Sequence, residues 1–358
     1  MQAAEPSGAE RMRELALQLP QQLRDGYKAG RGLDASVRAD LHSATLVGMG
    51  GSAIAGDLAA VLTDPETELG LHVVRSPDLP RSISHQDLVL VASYSGNTWE
   101  TLSAYDEAGR HHRPRLVITS GGRLAERAAD DGVPCLLLPP GGPPRSWVGF
   151  TLGGLFGLLD PIFPESNEDR LRHAVDTLEA RLSSYASPQG APARWAAAVD
   201  RRQPLVYAET GFSGLARRWK TQIEENAKRG AGFDILPELF HNAVVAWDAA
   251  RPEEGRNRAV LQLEWSEASP ETRLRYRYLE RLLAARRIPL LRVPLVAPDR
   301  LLALFTGLAL GDFFSLALAA RSGVDPFPVD AITRMKTELE RPVRRTPVAR
   351  RKTRSRRR

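Results

Sequence analysis

Short runs of Leu and Val alternate with segments of helical periodicity along residues 44–139. The apolar runs are SATLVGM, LHVVR, DLVLVA, RLVITS and VPCLLLP, and the segments between them include WETLSAYDEAGR and RLAERAADDG. This alternation is typical of a parallel sheet, because each crossover helix packs on one face and returns the chain to the same edge. The first part of the chain is therefore predicted to form a doubly wound α/β domain.

A second series of the same kind begins near residue 201. Its apolar runs are PLVYAETG, AVLQLEW and IPLLRVPL, and its helical segments are LARRWKTQIEENAK and TRLRYRYLERLLAARR. The stretch between the two series is helical in pattern. We therefore predict two doubly wound parallel-sheet domains, over residues 1–150 and 201–340, joined by a helical connector over 151–200 and followed by a basic tail over 341–358.

The stretch LLALFTGLALGDFFSLALAA, residues 301–320, is nearly long and apolar enough to cross a bilayer. Asp312 lies at its middle, and Gly307 and Gly311 suit close packing against another helix. No second segment of this kind accompanies it. The pattern favours a buried core helix and no membrane contact.

Composition narrows the protein class. Hydrophobic residues make up 42% of the chain and charged residues 26%, which is typical of globular proteins. Cys135 is the single cysteine, which excludes an internal disulfide framework and a cysteine-based metal cluster. The first residues, MQAAEPSGAERMRELAL, show no signal-peptide pattern. These features predict a cytoplasmic protein.

The positive charge is concentrated at the end of the chain. Residues 341–358 carry ten basic residues and no acidic one, whereas the rest of the chain carries 39 basic and 43 acidic residues. Such an arm is predicted to be disordered, and it can contact nucleic acid through nonspecific charge. No aromatic residue interrupts it and no nucleic-acid-binding motif precedes it, so the sequence favours an incidental tail without a specific partner.

Two strand ends carry candidate chemistry. The first strand ends in GMGGSA, residues 48–53, and the strand DLVLVA ends in SYSGNT, residues 93–98. Glycines at such corners let backbone N–H groups approach a phosphate, and hydroxyls can donate to it. The alternative is that Ser and Thr simply cap the next helix. Because parallel strands end at one edge of a sheet, the two corners together indicate an anion site.

A dinucleotide site is another interpretation of GMGGSA, which also fits the pattern G-x-G-x-x-A. The acidic residue expected at the end of the next strand is absent, and Arg75 stands there instead. An arginine at this place can accept a 2′-phosphate, which leaves an NADP enzyme open. That interpretation gives SYSGNT no role.

Six blocks follow one another along the chain: GMGGSAIAGD, SYSGNTWETL, GGPPRSWVG, KTQIEENAK, LPELFHN and VDPFPV. Together and in this order they resemble the sugar isomerase (SIS) domain family, and specifically its bifunctional phosphoglucose/phosphomannose isomerases. The resemblance extends to Lys336. It implies aldose–ketose isomerisation of hexose 6-phosphates in a homodimer, with neither a metal nor a cofactor.

The resemblance also implies roles for particular residues. Glu225 would be the catalytic base, Arg145 would stabilise the negative charge on the substrate oxygens, and His241 would open the sugar ring with help from Lys336. The chemistry calls for such groups, since a proton must move between C2 and C1 through a cis-enediol and the ring must first open. The residues expected at the sugar phosphate are Gly51, Ser52, Ser93, Ser95 and Thr98.

The helical phase of Glu225 conflicts with its implied role. Leu215, Trp219, Ile223 and Ala227 form the apolar stripe of their helix, and Glu225 lies on the opposite face. Periodicity alone predicts a solvated surface glutamate. The role as a base requires that a cleft or a partner subunit covers this face, and a shared site would let His241 come from the neighbouring chain.

Two questions remain open at the level of sequence. The resemblance implies a small hydroxyl residue near the position of Phe327, as in many family members. The phenylalanine therefore puts the mannose 6-phosphate activity in question, and the glucose 6-phosphate activity less so. The same domains also serve as phosphosugar sensors without catalysis. A sensor needs the phosphate-binding corners but has no use for Glu225 and His241, so their presence together favours the enzyme.

Overall fold

The computed structural model describes residues 6–33, 41, 43–62, 70–84, 86–162 and 166–340. The chain divides into a large unit, Met1–Phe327, and a small one, Pro328–Arg358. The predicted basic tail, 341–358, lies outside the described residues. Within the small unit the structure describes one helix, α14, Asp330–Glu340.

Two parallel sheets organise the large unit. The first has the order β2-β1-β3-β4-β5 and the second the order β7-β6-β8-β9, so the second repeats the first four positions. This confirms the predicted α/β class with two doubly wound parallel sheets. The strands are β1 Ser43–Gly48, β2 Gly70–Val74, β3 Asp87–Ala92, β4 Arg115–Thr119, β5 Cys135–Leu137, β6 Gln203–Glu209, β7 Gly232–Leu236, β8 Arg258–Trp265 and β9 Leu290–Leu295.

Helices follow the strands and also join the two sheets. Three of them, α6 to α8, lie along the chain between β5 and β6. The helices are α1 Gly8–Leu17, α2 Leu19–Arg31, α3 Ile54–Ala59, α4 Trp99–Arg110, α5 Gly122–Asp130, α6 Val148–Leu159, α7 Glu168–Tyr185, α8 Ala191–Val199, α9 Ser213–Ala227, α10 Ala243–Asp248, α11 Glu254–Asn257, α12 Pro270–Ala285 and α13 Arg300–Ser322.

Strand β7 is not predicted by the apolar runs of the sequence. It lies at one edge of the second sheet, where only one side pairs, and four of its five residues are half-buried. The segment GFDIL therefore carries a weaker apolar signal than the central strands β6 and β8, whose residues are mostly buried.

The apolar helix α13 is a core helix. It is long and apolar enough to cross a membrane, but 89% of its most apolar window is buried within the protein. Trp219 of α9 stacks on Phe314 with ring centroids 5.4 Å apart and donates from Nε1 to the Gly307 carbonyl over 2.9 Å. A Cβ at Gly311 would overlap the Trp219 ring. The prediction that the small residues allow close helix packing is confirmed.

Candidate active site

The glycine-rich turn after β1 and the hydroxyl-rich turn after β3 lie side by side. Strands β1 and β3 are paired in parallel, so both turns emerge at the carboxyl edge of the first sheet. The Tyr94 backbone N–H donates to Ser52 Oγ over 3.1 Å, which joins the turns directly. We call this group the cradle, and its residues are Gly51, Ser52, Ser93, Ser95 and Thr98.

Gly96 shapes the second turn of the cradle. Its φ is +66°, a left-handed conformation that favours glycine, and a Cβ there would overlap the Gly121 carbonyl. The Gly96 carbonyl in turn accepts from the Leu124 backbone N–H over 2.9 Å, and Asn97 Oδ1 accepts from the Arg123 N–H. The loop after β4 therefore holds the cradle in place.

The hydroxyls of the cradle do not cap helix α4. Thr98 is the residue before the helix, but its side chain makes no bond to the backbone of the first turn. Its Oγ1 accepts instead from Ser93 Oγ over 3.0 Å. The capping interpretation is therefore wrong here. The first-turn N–H groups stay oriented towards the cradle, where the helix dipole favours an anion.

Arg145 lies in a 3₁₀ turn, Pro144–Trp147, directly beside the glycine turn of the cradle. A Cβ at Gly51 would lie 3.1 Å from the Arg145 backbone nitrogen. Any side chain at position 51 would therefore press on the backbone that carries the arginine. The absence of a Cβ lets the two turns approach each other, which places a cation next to the cradle.

The side chain of Arg145 is 2% exposed, and all but one of its N–H donors form hydrogen bonds. Nε donates to Asn226 Oδ1 over 2.7 Å and Nη1 donates to Glu225 Oε2 over 3.1 Å. Nη2 donates to the carbonyls of Pro326 and Phe327 over 2.5 and 3.1 Å. Since a guanidinium has five N–H donors, one on Nη1 has no partner among the described residues. Burial lowers the pKa of Arg145, and the Glu225 carboxylate opposes that shift.

Glu225 is not the solvated glutamate that the helical period of α9 predicts. Its side chain is 25% exposed, and its Oε2 pairs with Arg145. Within this chain, the covering group is Arg145 from the 3₁₀ turn. Oε1 makes no hydrogen bond in the part of the chain that the structure describes, so one carboxylate oxygen is held and the other is available to a substrate.

A polar stripe on α9 supports this pair. Arg218, Gln222 and Asn226 recur every four residues and are all buried, although the apolar stripe lies elsewhere on the helix. The stripe faces α13. Arg218 Nη2 donates to both carboxylate oxygens of Asp312, over 2.9 and 3.2 Å, and Gln222 Nε2 donates to Asp312 Oδ1 over 2.7 Å.

Residues of the polar stripe form hydrogen bonds both to Arg145 and to helix α13. Arg218 Nη2 also donates to the Arg145 carbonyl over 3.1 Å. Asn226 accepts from the Arg145 side chain and donates from Nδ2 to Ser315 Oγ over 2.9 Å. The backbone and the guanidinium of Arg145 are thus each held by a residue of α9, and both of those residues bond to α13.

His241 lies at the other end of strand β7 from Glu225. Helix α9 ends just before β7, and the 3₁₀ turn Glu238–His241 follows it. A strand of five residues spans roughly 13 Å, so the two residues lie at opposite edges of the second sheet. His241 is exposed, and within the described chain no hydrogen bond or ion pair joins it to Glu225 or Arg145.

Comparison with known proteins identifies the family. Residues 189–339 match the family model for the bacterial phospho-glucose isomerase C-terminal SIS domain. The bifunctional phosphoglucose/phosphomannose isomerase of Caldicellulosiruptor bescii is 30% identical over 336 residues, which cover 92% of this chain and 98% of that protein. The enzyme of the same name from Aquifex aeolicus is 35% identical over 297 residues, covering 82% and 89%.

The chain belongs to the bifunctional phosphoglucose/phosphomannose isomerase family. Solved structures agree on the fold. A putative phosphosugar isomerase from Salmonella typhimurium has a TM-score of 0.65 at 15% identity, covering 84% of this chain and 95% of that one. A hypothetical protein from Thermus thermophilus has a TM-score of 0.71 at 15% identity, covering 94% and 90%.

Membership of the phosphoglucose/phosphomannose isomerase family removes the support for an NADP enzyme. That alternative depended on Arg75, which would have to bind a 2′-phosphate. In the structure the Arg75 guanidinium forms an ion pair with Asp57 of α3, and Arg217 of α9 also contacts that carboxylate. Arg75 therefore has a structural role where α3 meets α9.

Phe327 and Lys336 complete the set of residues that the resemblance to the isomerase family implies. The Arg11 guanidinium lies 3.9 Å from the centroid of the Phe327 ring, and the Phe327 carbonyl accepts from Arg145. This brings the residue next to the cation of the site. Lys336 lies in α14 of the small unit, so its role stays a prediction.

Proposed function

We propose that this protein interconverts glucose 6-phosphate, and also mannose 6-phosphate, with fructose 6-phosphate, without a metal and through a cis-enediol. The observation that carries the proposal is the pairing of Glu225 with Arg145 beside the cradle. The non-catalytic sensor alternative leaves this pairing without a role. Because Cys135 is the single cysteine and α13 is a core helix, the proposed location is the cytoplasm.

Glu225 and Arg145 have different roles in the proposed reaction, and the geometry of the pair indicates which. Glu225 Oε1 is available to take the proton from C2 and return it to C1. The buried Arg145 cation lies next to the enediolate oxygens that become negative in this step, and its remaining Nη1 donor can reach one of them. The cradle hydroxyls and the α4 backbone N–H groups hold the phosphate at the other end of the substrate.

The first test measures fructose 6-phosphate formation from glucose 6-phosphate and from mannose 6-phosphate separately, with and without EDTA. We expect turnover of both sugars and no effect of EDTA. Turnover of glucose 6-phosphate alone would limit the proposal to one epimer and direct attention to Phe327. Phosphosugar binding without turnover of either sugar would replace the isomerase by a sensor.

The family resemblance assigns ring opening to His241, which lies at the opposite edge of the second sheet from Glu225 within one chain. We propose a homodimer in which the partner subunit's His241 reaches the substrate. Exposed apolar side chains on α10, which follows His241, and on α12, which packs against α10, suit such an interface: Val245 is 68% exposed and Leu274 is 57% exposed. Phe240 packs edge-on against the half-exposed Tyr278, with ring centroids 6.0 Å apart.

Mixing two inactive chains tests the shared site. Co-expression of Glu225→Gln with His241→Ala should make heterodimers the commonest species, and each heterodimer holds one intact site. Purified heterodimers should therefore have about half of the wild-type kcat per dimer, although each variant alone is inactive. The measurement is kcat after purification of doubly tagged dimers. Mixed dimers as inactive as the single variants would show that one chain supplies both groups.

A further inference from the structure

The second sheet repeats the first, and the strand ends of this repeat have a different chemistry. Strand β8 holds the position of β3, so the turn Trp265–Ser269 corresponds to the hydroxyl-rich turn of the cradle. Here Ser269 caps α12, because its Oγ accepts from the Thr272 backbone N–H over 3.2 Å. Strand β6, the counterpart of β1, ends in Glu209, and the turn after it, Thr210–Phe212, has one glycine and no serine where the turn after β1 reads GGS. The second sheet therefore has no copy of the cradle.

A cavity of about 350 Å³ lies instead between the ends of β8 and β9 and helix α12. This volume is within the range of small-molecule sites. Trp265 and Tyr276 form an aromatic wall. Both rings are fixed by hydrogen bonds, since Trp265 Nε1 donates to the Ala297 carbonyl over 3.0 Å and Tyr276 Oη donates to the Leu263 carbonyl over 3.0 Å.

The charges that line the cavity do not balance. Arg292 is neutralised by Glu264, which accepts three hydrogen bonds from its guanidinium over 2.7 to 3.0 Å. Arg273 and Arg277 also line the cavity, and neither has a hydrogen bond or an ion pair to a carboxylate among the described residues. Glu280 is the remaining acidic group of the lining, which leaves an excess of one positive charge.

The arrangement of these two arginines points to an anion with several acceptor oxygens. They lie four residues apart on α12, so both project from one face of the helix, where like charges repel and weaken the helix slightly. Guanidinium pairs bind phosphate groups through parallel hydrogen bonds, which offsets that repulsion. The aromatic wall offers an apolar surface to the rest of the ligand.

We propose that this cavity is a second ligand site, which binds a small phosphate monoester through Arg273 and Arg277. The site lies at the carboxyl edge of the second sheet, whereas the cradle lies at that of the first. It does not include Glu225, Arg145 or any residue of the cradle. The proposal therefore stands independently of the isomerase activity.

Counting the ligands bound per chain tests the second site. The probe is glucitol 6-phosphate, which has no carbonyl group and so cannot be isomerised, and free glucitol serves as the blank. Calorimetry should give two equivalents per wild-type chain. The double variant Arg273→Gln/Arg277→Gln should keep one equivalent, with affinity at the other site reduced at least ~10-fold.

Matched control variants distinguish ligand binding at the second site from ligand binding at the cradle. Ser93→Ala/Thr98→Val should weaken only the cradle, and Arg281→Gln removes an arginine of α12 that does not line the cavity. Arg273→Gln/Arg277→Gln should retain wild-type kcat for isomerisation. One equivalent per wild-type chain that persists unchanged in Arg273→Gln/Arg277→Gln would overturn the proposal, as would equal losses in Arg281→Gln and the double variant. Neither outcome depends on whether the protein turns over sugar phosphates.

Discussion

Replacing Glu225 by Gln should reduce kcat for glucose 6-phosphate isomerisation by about 10²–10⁴-fold, the usual range for loss of a positioned general base. The amide has nearly the shape of the carboxylate, and its oxygen can still accept from Arg145 Nη1. The pairing geometry is therefore retained while the proton acceptor is lost. KM should change little, because the cradle, which we propose binds the phosphate, is untouched.

Two measurements make this result specific. The first is exchange of the C2 proton with solvent deuterium, which should disappear together with turnover. The second is the matched variant Glu224→Gln. Glu224 is the preceding residue of α9 and pairs on the surface with Lys220 over 2.7 Å, so its loss should leave kcat near wild type. A Glu225→Gln protein that keeps more than roughly a tenth of wild-type kcat would remove Glu225 from the role of base.

Replacing Asp312 by Leu should give the largest loss of stability, about 3–5 kcal/mol in the free energy of unfolding. The substitution leaves the Arg218 guanidinium, 2% exposed, without its carboxylate in the middle of the core. An unpaired buried charge is far more costly than the net contribution of the pair itself. A drop of roughly 10 °C in thermal midpoint is expected for a domain of this size.

The double variant Arg218→Met/Asp312→Leu tests the physical cause. If the cost comes from the unpaired charge, removing both charges should recover most of the lost stability. Gln222 still loses an acceptor and the Arg145 carbonyl loses a donor, so kcat should stay reduced even in the stable double variant. A double variant no more stable than Asp312→Leu would show that packing, and not charge, explains the loss. The exposed pair Arg172–Asp169 gives the surface reference, where Asp169→Ala should leave the free energy of unfolding almost unchanged.

The sequence by itself determined the class of the fold and the composition of the cradle. Central strands such as β3 are buried on both faces and are therefore continuously apolar, so their positions can be found from local pattern. The glycine and hydroxyl turns follow directly from these strand ends. Because parallel strands end at one edge, the side-by-side arrangement of the two turns could be predicted without the structure.

Only the tertiary structure decided how Glu225 is covered. The period of α9 assigns one apolar stripe to the core, and it assumes that polar residues elsewhere face water. That assumption is wrong for Arg218, Gln222, Asn226 and Glu225. Their partners, Asp312 and Arg145, lie 94 and 80 residues away along the chain from Arg218 and Glu225. A local pattern cannot show a buried polar face whose hydrogen bonds come from distant segments, because burial there depends on contacts that exist only after the two halves have packed.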